Sequence, residues 1–228
     1  MANQLDLEEQ EQLDQLKHFW SAWGTLISCV VLALAGAAAA WSGYQYWQSR
    51  QAGQASALFD ATEVAIISGD KSRLEQSFAD LISKYSNNFQ TSQAALGVAN
   101  FMHQSKADSE AKSALIWASE NASDDGIKAL AKLRLASVLM VEKNFSDALK
   151  IISGDFPNEF NSLVSDRKGD IYLLQEKRVE AIKEYERAFK EFDINLDFKR
   201  IVEIKLNSLG AVPMQIDPGV ISSSKEKE

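Results

Sequence analysis

From His18 to Ser49 the chain runs for 32 residues without an Asp, Glu, Lys or Arg. Crossing the roughly 30 Å hydrocarbon core of a bilayer takes about 20 mostly apolar residues as a helix, so Trp23 to Tyr46 is long enough with some tilt to spare. Aromatic residues crowd both ends, with Phe19, Trp20 and Trp23 on one side and Trp41, Tyr44, Tyr46 and Trp47 on the other. Amphipathic rings settle at membrane–water boundaries in this way, so these residues read as membrane-interface anchors. A cleaved signal peptide is the competing reading, and Ala37 to Ala40 offers a small-residue site for it. Signal peptides begin with a positive segment, whereas this chain opens with five acids before its first base, Lys17, and its aromatic belt continues past the possible cut. A buried helix of a soluble protein would leave two aromatic girdles unexplained. The stretch therefore reads as a retained anchor.

Orientation does not follow from charge. The nearest basic residues, Lys17 and Arg50, tie across the span. Within the span Ala33, Gly36, Ala37, Ala40 and Gly43 place small residues at helical spacing, a stripe that lets another helix pack closely; alanine-rich composition alone explains it equally well. The only cysteine, Cys29, lies in the same segment, which excludes an intrachain disulfide.

Beyond the anchor the pattern is helical nearly throughout. Apolar residues recur at three and four rather than two, and the three prolines, Pro157, Pro213 and Pro218, avoid the periodic segments. A first helix continues from the membrane and ends near Gly69, Asp70 caps the next, and Ser72 with Glu75 has capping-box spacing. Thr91 or Ser92 opens a third helix and Ala111, Leu115 and Ala118 mark a fourth. Two more pairs follow, then a last helix over Asp197 to Leu209 that Gly210 stops.

A repeat underlies these helices. Gly169, Tyr172, Ala181, Tyr185 and Ala188 fall at spacings of 3, 9, 4 and 3, the frame of a tetratricopeptide unit of about 34 residues. Leu135, Ala136, Leu139, Ala148 and Ile152 fit the same frame, displaced by 33 residues from Ala136 to Gly169. Small side chains belong where two helices cross closely, and the tyrosines fill the space beside them. Upstream the match degrades to Gly97, Ala111, Leu115 and Ala118, two residues out of register, and the pair from Ala55 to Tyr85 keeps only amphipathicity. The expected fold is all-α: an N-terminal transmembrane helix, then a right-handed stack of tetratricopeptide-like helical hairpins with a C-terminal capping helix. The expected divisions are 1–18 as a short acidic tail, 19–48 as the membrane helix with its aromatic belts, 49–210 as the repeat domain and 211–228 as a disordered tail.

Sites of chemistry do not emerge. Beyond the N-terminal tail the chain holds 27 acids against 23 bases with no basic block, which argues against nucleic acid as a partner. Of the two histidines, His18 sits at the membrane boundary and His103 near a helix end, where it compensates the helix dipole. Asp124 and Asp125 precede a helix and read as caps. Glu186, Arg187, Lys190 and Glu191 alternate charge as a solvated face does. No cysteine–histidine cluster, phosphate-cradling loop or nucleophile turn is present, so no cofactor, metal or catalytic residue is expected and the chain does not read as an enzyme.

The acidic N-terminus, the Trp-flanked alanine-rich helix and the degenerate repeats, with the segments WQSRQAGQAS, FADLISKYSNN, ALAKLRLASVLM and RKGDIYLL, resemble the YfgM family over roughly residues 5 to 210. That resemblance implies an ancillary subunit of the bacterial SecYEG translocon, in the inner membrane, with a cytoplasmic N-terminus and a periplasmic repeat domain. It implies partnership with translocon subunits and the periplasmic chaperone PpiD, alongside translocating polypeptides and membrane lipid. The expected function is a membrane-anchored interaction protein that helps couple secreted or outer-membrane proteins to such chaperones. The alternative is a membrane-bound regulator that relays an envelope signal to a cytoplasmic partner through the acidic tail.

Overall fold

The computed structural model describes residues 7–192 and 197–211. It comprises two units, residues 1–54 and 55–228. Helix α1 (Leu7–Ser68) supplies the described part of the first unit and the first helix of the second.

In the first unit the apolar side chains of α1 point outward into their surroundings. Leu32 is 72% exposed and Leu34 66%. Such a continuous apolar surface is costly in water and favourable in hydrocarbon, and α1 is long and apolar enough to cross a membrane. Rise per residue places the inner aromatics, Trp23 and Trp41, about 27 Å apart along the axis and the outer pair, Trp20 and Trp47, about 40 Å apart. Those separations match the thickness of the hydrocarbon core and of the bilayer with its headgroups.

The second unit is a run of antiparallel helix pairs. After α1 come α2 (Lys71–Tyr85), α3 (Phe89–Gln104), α4 (Asp108–Asn121), α5 (Asp125–Val141) and α6 (Phe145–Ile152). A single 3-10 turn over Asn158–Phe160 leads to α7 (Asn161–Leu174), α8 (Arg178–Glu191) and α9 (Asp197–Ser208). Among the described residues there is no strand. The helices and their repeat frame match the all-α expectation.

Local chemistry starts the helices. The Asp70 carboxylate accepts the Arg73 N–H at 3.0 Å and Asp124 accepts that of Ile127 at 2.9 Å, each satisfying a free first-turn donor. Because Asp70 takes that role, α2 begins at Lys71 and Ser72 lies inside it, so the expected Ser72–Glu75 capping box does not form. Helix α3 also begins earlier than Thr91 or Ser92, at Phe89. The Thr91 hydroxyl instead donates to the Tyr85 carbonyl at 2.7 Å, and Ser92 accepts the Ser123 N–H at 2.9 Å, so both side chains tie α3 to neighbouring segments.

Each of the four pairs reverses through the same device, and α9 ends in it. The residues ending α1, α3, α5, α7 and α9 carry positive φ: Gly69 (72°), Lys106 (59°), Lys143 (59°), Glu176 (62°) and Gly210 (68°). At each, the next N–H donates to a carbonyl five residues back: Asp70 to Ala65, Ala107 to Met102, Asn144 to Leu139, Lys177 to Tyr172 and Ala211 to Leu206, all within 3.0 Å. This is the Schellman closure, which satisfies helix-end carbonyls while turning the chain left-handed. The turns fall 37, 37, 33 and 34 residues apart. Left-handed backbone costs a side-chain-bearing residue roughly 1 kcal/mol. Substituting Lys143→Gly or Glu176→Gly therefore raises stability by about 0.5 kcal/mol, and Gly69→Ala lowers it by about 1 kcal/mol, in urea unfolding.

Counting from these turns aligns all four pairs. Four residues before the turn stand Ala65, Met102 and Leu139, all buried, and Tyr172, half-buried. Five residues after it stand Leu74, Ala111, Ala148 and Ala181, each no more than 2% exposed. Seven before it stand Thr62, Ala99, Ala136 and Gly169, all buried. The frame position in the second pair thus belongs to Ala99 and not to Gly97, which accounts for the two-residue slip in the sequence. The first pair, degenerate by sequence, holds the frame through Thr62, whose hydroxyl meets Ser77 Oγ at 3.0 Å.

The tightest approach is at Gly169. A Cβ built there would lie 2.5 Å from Cε1 of Tyr185, and Tyr185 is fully buried between α7, α8 and α9. Gly169→Ala forces the ring or the helix to shift in a packed interior, at an expected cost of about 1–3 kcal/mol. A urea midpoint unchanged from the wild type would contradict this close contact.

Candidate interaction groove

The same frame separates the core from a solvent-facing row. Nine and six residues before each turn stand Asp60 and Glu63 on α1, Gly97 and Asn100 on α3, and Arg134 and Ser137 on α5. Arg167 and Asp170 follow on α7, then Ile201 and Ile204 on α9. These positions lie one helical face away from the buried ones, so helix packing that buries the core leaves them exposed or half-buried.

Two cavities open along that row. One, of about 370 Å³, lies among α1, α3 and α5 and is lined by Phe59, Glu63, Ile66, Gly97, Asn100 and Arg134. The other, of about 310 Å³, is set between α3, α4 and α5, with an apolar floor of Ala99, Ala111, Leu115 and Val138. Asn100 and Arg134 border both, so the two spaces are parts of one groove. At the rim of the second, His103 Nδ1 lies 2.8 Å from Asp108 Oδ1, and Lys112 pairs with Glu142. His103 stands in the last turn of α3, where a positive charge offsets the dipole.

Downstream the groove position of α7 is occupied internally. Lys205 of α9 extends its ammonium between Asp166 and Asp170, at 2.7 Å from each, and Tyr185 donates its hydroxyl to Asp170 at 2.8 Å. Burial raises the Asp166 pKa above the ordinary 3.8 even with Lys205 beside it. Burial likewise pushes the Tyr185 phenol well up, so it stays a donor at all ordinary pH. The cluster ties α9 to the last pair and closes the array. A carboxylate whose folded pKa is raised contributes stability below its unfolded value and loses it as pH rises through the folded value. Asp166→Asn therefore leaves stability unchanged below pH 3.8 and gains over the wild type as pH climbs above it. Asp170→Asn, which strips an anion from both Lys205 and Tyr185, loses about 1–3 kcal/mol at neutral pH. Urea midpoints across the acid range read both.

The residues singled out from sequence fall into two environments. Leu135, Ala136, Leu139, Ala148 and Ile152 lie in one core, and Ala181, Tyr185 and Ala188 in the next, with Tyr172 packed against it and Gly169 beneath the Tyr185 ring. On α1, Ala33, Gly36, Ala37, Ala40 and Gly43 are exposed, and nothing lies within 4 Å of a Cβ added at Gly36 or Gly43. Trp20, Trp23, Trp41, Tyr44 and Trp47 are also exposed, and Tyr44 sits between Trp41 and Trp47 at centroid distances of 6.5 and 6.3 Å. The groove residues were not identified from sequence. Counting back from the turns finds them, but three of the turns carry Lys or Glu in place of glycine.

The chain matches the model of a tetratricopeptide repeat-like domain over residues 17–211. An ancillary SecYEG translocon subunit of Neisseria gonorrhoeae is 31% identical over 208 residues, which cover 89% of this chain and 98% of that protein. The chain belongs to the YfgM family. Proteins of the same name from Haemophilus influenzae and Escherichia coli are 26% and 24% identical, each over at least 88% of this chain and 96% of the relative. No solved structure matches it. The family is one of translocon accessory proteins and not a known class of enzyme. Residues 212–228 lie beyond the matched domain.

Proposed function

We propose that the chain is a membrane-anchored interaction protein of the SecYEG translocon, which holds a binding groove close to emerging polypeptides. The observation that carries this reading is the joining, in one chain, of a helix able to cross a membrane and an open-grooved repeat domain. It draws on family members named as translocon subunits. In this reading residues 1–18 are cytoplasmic, 19–48 span the inner membrane and 49–210 form the periplasmic repeat domain, with 211–228 as a trailing segment. The groove receives a periplasmic chaperone of the PpiD type, and through it secreted or outer-membrane proteins pass from the translocon.

Anchoring supplies affinity without new contacts, because a tethered domain meets its partners at a raised effective concentration. The stripe of Ala33, Gly36, Ala37, Ala40 and Gly43 provides a close-packing surface for a translocon helix, since small residues let helix backbones approach in lipid.

The test is photocrosslinking in intact membranes. A photoreactive residue in place of Asn100 is expected to capture a periplasmic chaperone, and one in place of Ala37 a translocon subunit. External protease should remove the repeat domain from spheroplasts and leave an N-terminal tag protected. Substituting Gly36→Leu together with Ala40→Leu should cut co-purified translocon several-fold at equal expression. Translocon recovery unchanged by these leucines rejects the helix-packing role, and protection of the repeat domain in spheroplasts rejects the topology.

A further inference from the structure

We infer that the groove takes a segment of polypeptide in which a large apolar side chain is followed closely by a carboxylate, the apolar group entering the α3–α4–α5 cavity and the carboxylate pairing with Arg134. This rests on the proposed function and names the chemistry of its binding site. The cavity of about 310 Å³ has a floor of alanine, leucine and valine side chains, the lining that receives an aliphatic or aromatic anchor. Its rim is unlike its floor. Two polar pairs there, His103 with Asp108 and Lys112 with Glu142, already satisfy each other.

Arg134 does not. Among the described residues it has no ion-pair or hydrogen-bond partner, it is exposed, and it stands where the two cavities meet. A guanidinium presents a planar fork of donors that fits a carboxylate bidentately, a contact stronger and more directional than a neutral hydrogen bond. The neighbouring cavity carries Glu63, likewise without a partner among the described residues. An occupant running from α5 towards α1 thus meets an apolar hole, then a cation, then an anion. Charge complementarity fixes both the composition of the segment and its direction.

The experiment uses the full chain in lipid nanodiscs and an array of ten-residue peptides bearing Leu or Phe next to Asp, Asn or Lys in a Gly-Ser background. The Asp peptides are expected to bind about tenfold more tightly than the Asn peptides, with Lys weakest. Arg134→Glu should invert that order in favour of Lys. Asn100→Trp, an exposed change that blocks the cavity mouth, should abolish binding of all three while the thermal midpoint holds. Equal binding of Asp, Asn and Lys peptides overturns the inference, as does an order that Arg134→Glu leaves unchanged. Binding seen only after truncation at Ala211 would make the chain's own residues 212–228, which carry Ile216 followed by Asp217, the occupant, and would overturn a separate polypeptide in that role. Co-purification with translocon subunits, measured on the same membranes, separates the two claims. Its retention alongside failed peptide selectivity rejects the groove chemistry alone, and its loss in the unmodified chain rejects the translocon reading.

Discussion

A helix that turns back to pair with its successor leaves its last carbonyls without donors, and the four pairs of this chain solve that problem the same way, as does the end of α9. Gly69, Lys106, Lys143, Glu176 and Gly210 adopt left-handed backbone, and the following N–H closes onto a carbonyl five residues earlier. Since the turn fixes where the second helix starts relative to the first, it also fixes which residues of each pair face one another. Everything else in the repeat unit is measured from it. Ala111, Ala148 and Ala181 share a burial because each stands five residues past a turn, not because their neighbours in sequence are alike.

The same geometry divides the surface. Residues four and seven before the turn go into the core, while Glu63, Gly97, Asn100, Arg134 and Ser137, six or nine before it, line the groove. Natural variation can then act on the groove without touching the packing. In this chain the groove row runs from Glu63 on α1 through Asn100 on α3 to Arg134 on α5, over a core that stays apolar. At the C-terminal end of the described stack Lys205 pairs with Asp166 and Asp170 and ties α9 to the last pair, although burial still holds the Asp166 pKa up. The apolar helix that precedes the repeats in sequence is long enough to cross a membrane.

How much of this was legible depended on residue type. The membrane-length helix stood out because solvation in lipid admits few sequences: 32 residues without a charge and rings at both ends. The last two pairs were legible because close helix crossing demands small residues, and Gly169 beneath Tyr185 leaves no room for a side chain. The first pair was less legible because Thr62 with Ser77 meets the same packing need with residues the repeat pattern does not specify, and in the second Gly97 drew the small-residue position away from Ala99. Helix starts slipped for a related reason: Thr91 and Ser92 have capping side chains, yet their hydroxyls serve the contacts to Tyr85 and Ser123.

Sequence by itself determined the class of the protein: an apolar span, a helical period and a repeat of about 34 residues, each a local consequence of solvation or steric size. Only the tertiary structure decided the register and the groove. A lysine or glutamate in left-handed backbone leaves no mark on composition, so the turns at Lys106, Lys143 and Glu176 appear only once the chain is folded. Arg134 reads in sequence as one more charge on a helix. Packing α3, α4 and α5 around an apolar hollow is what sets it at the meeting of two cavities, because placement there depends on helices distant in sequence and not on its neighbours.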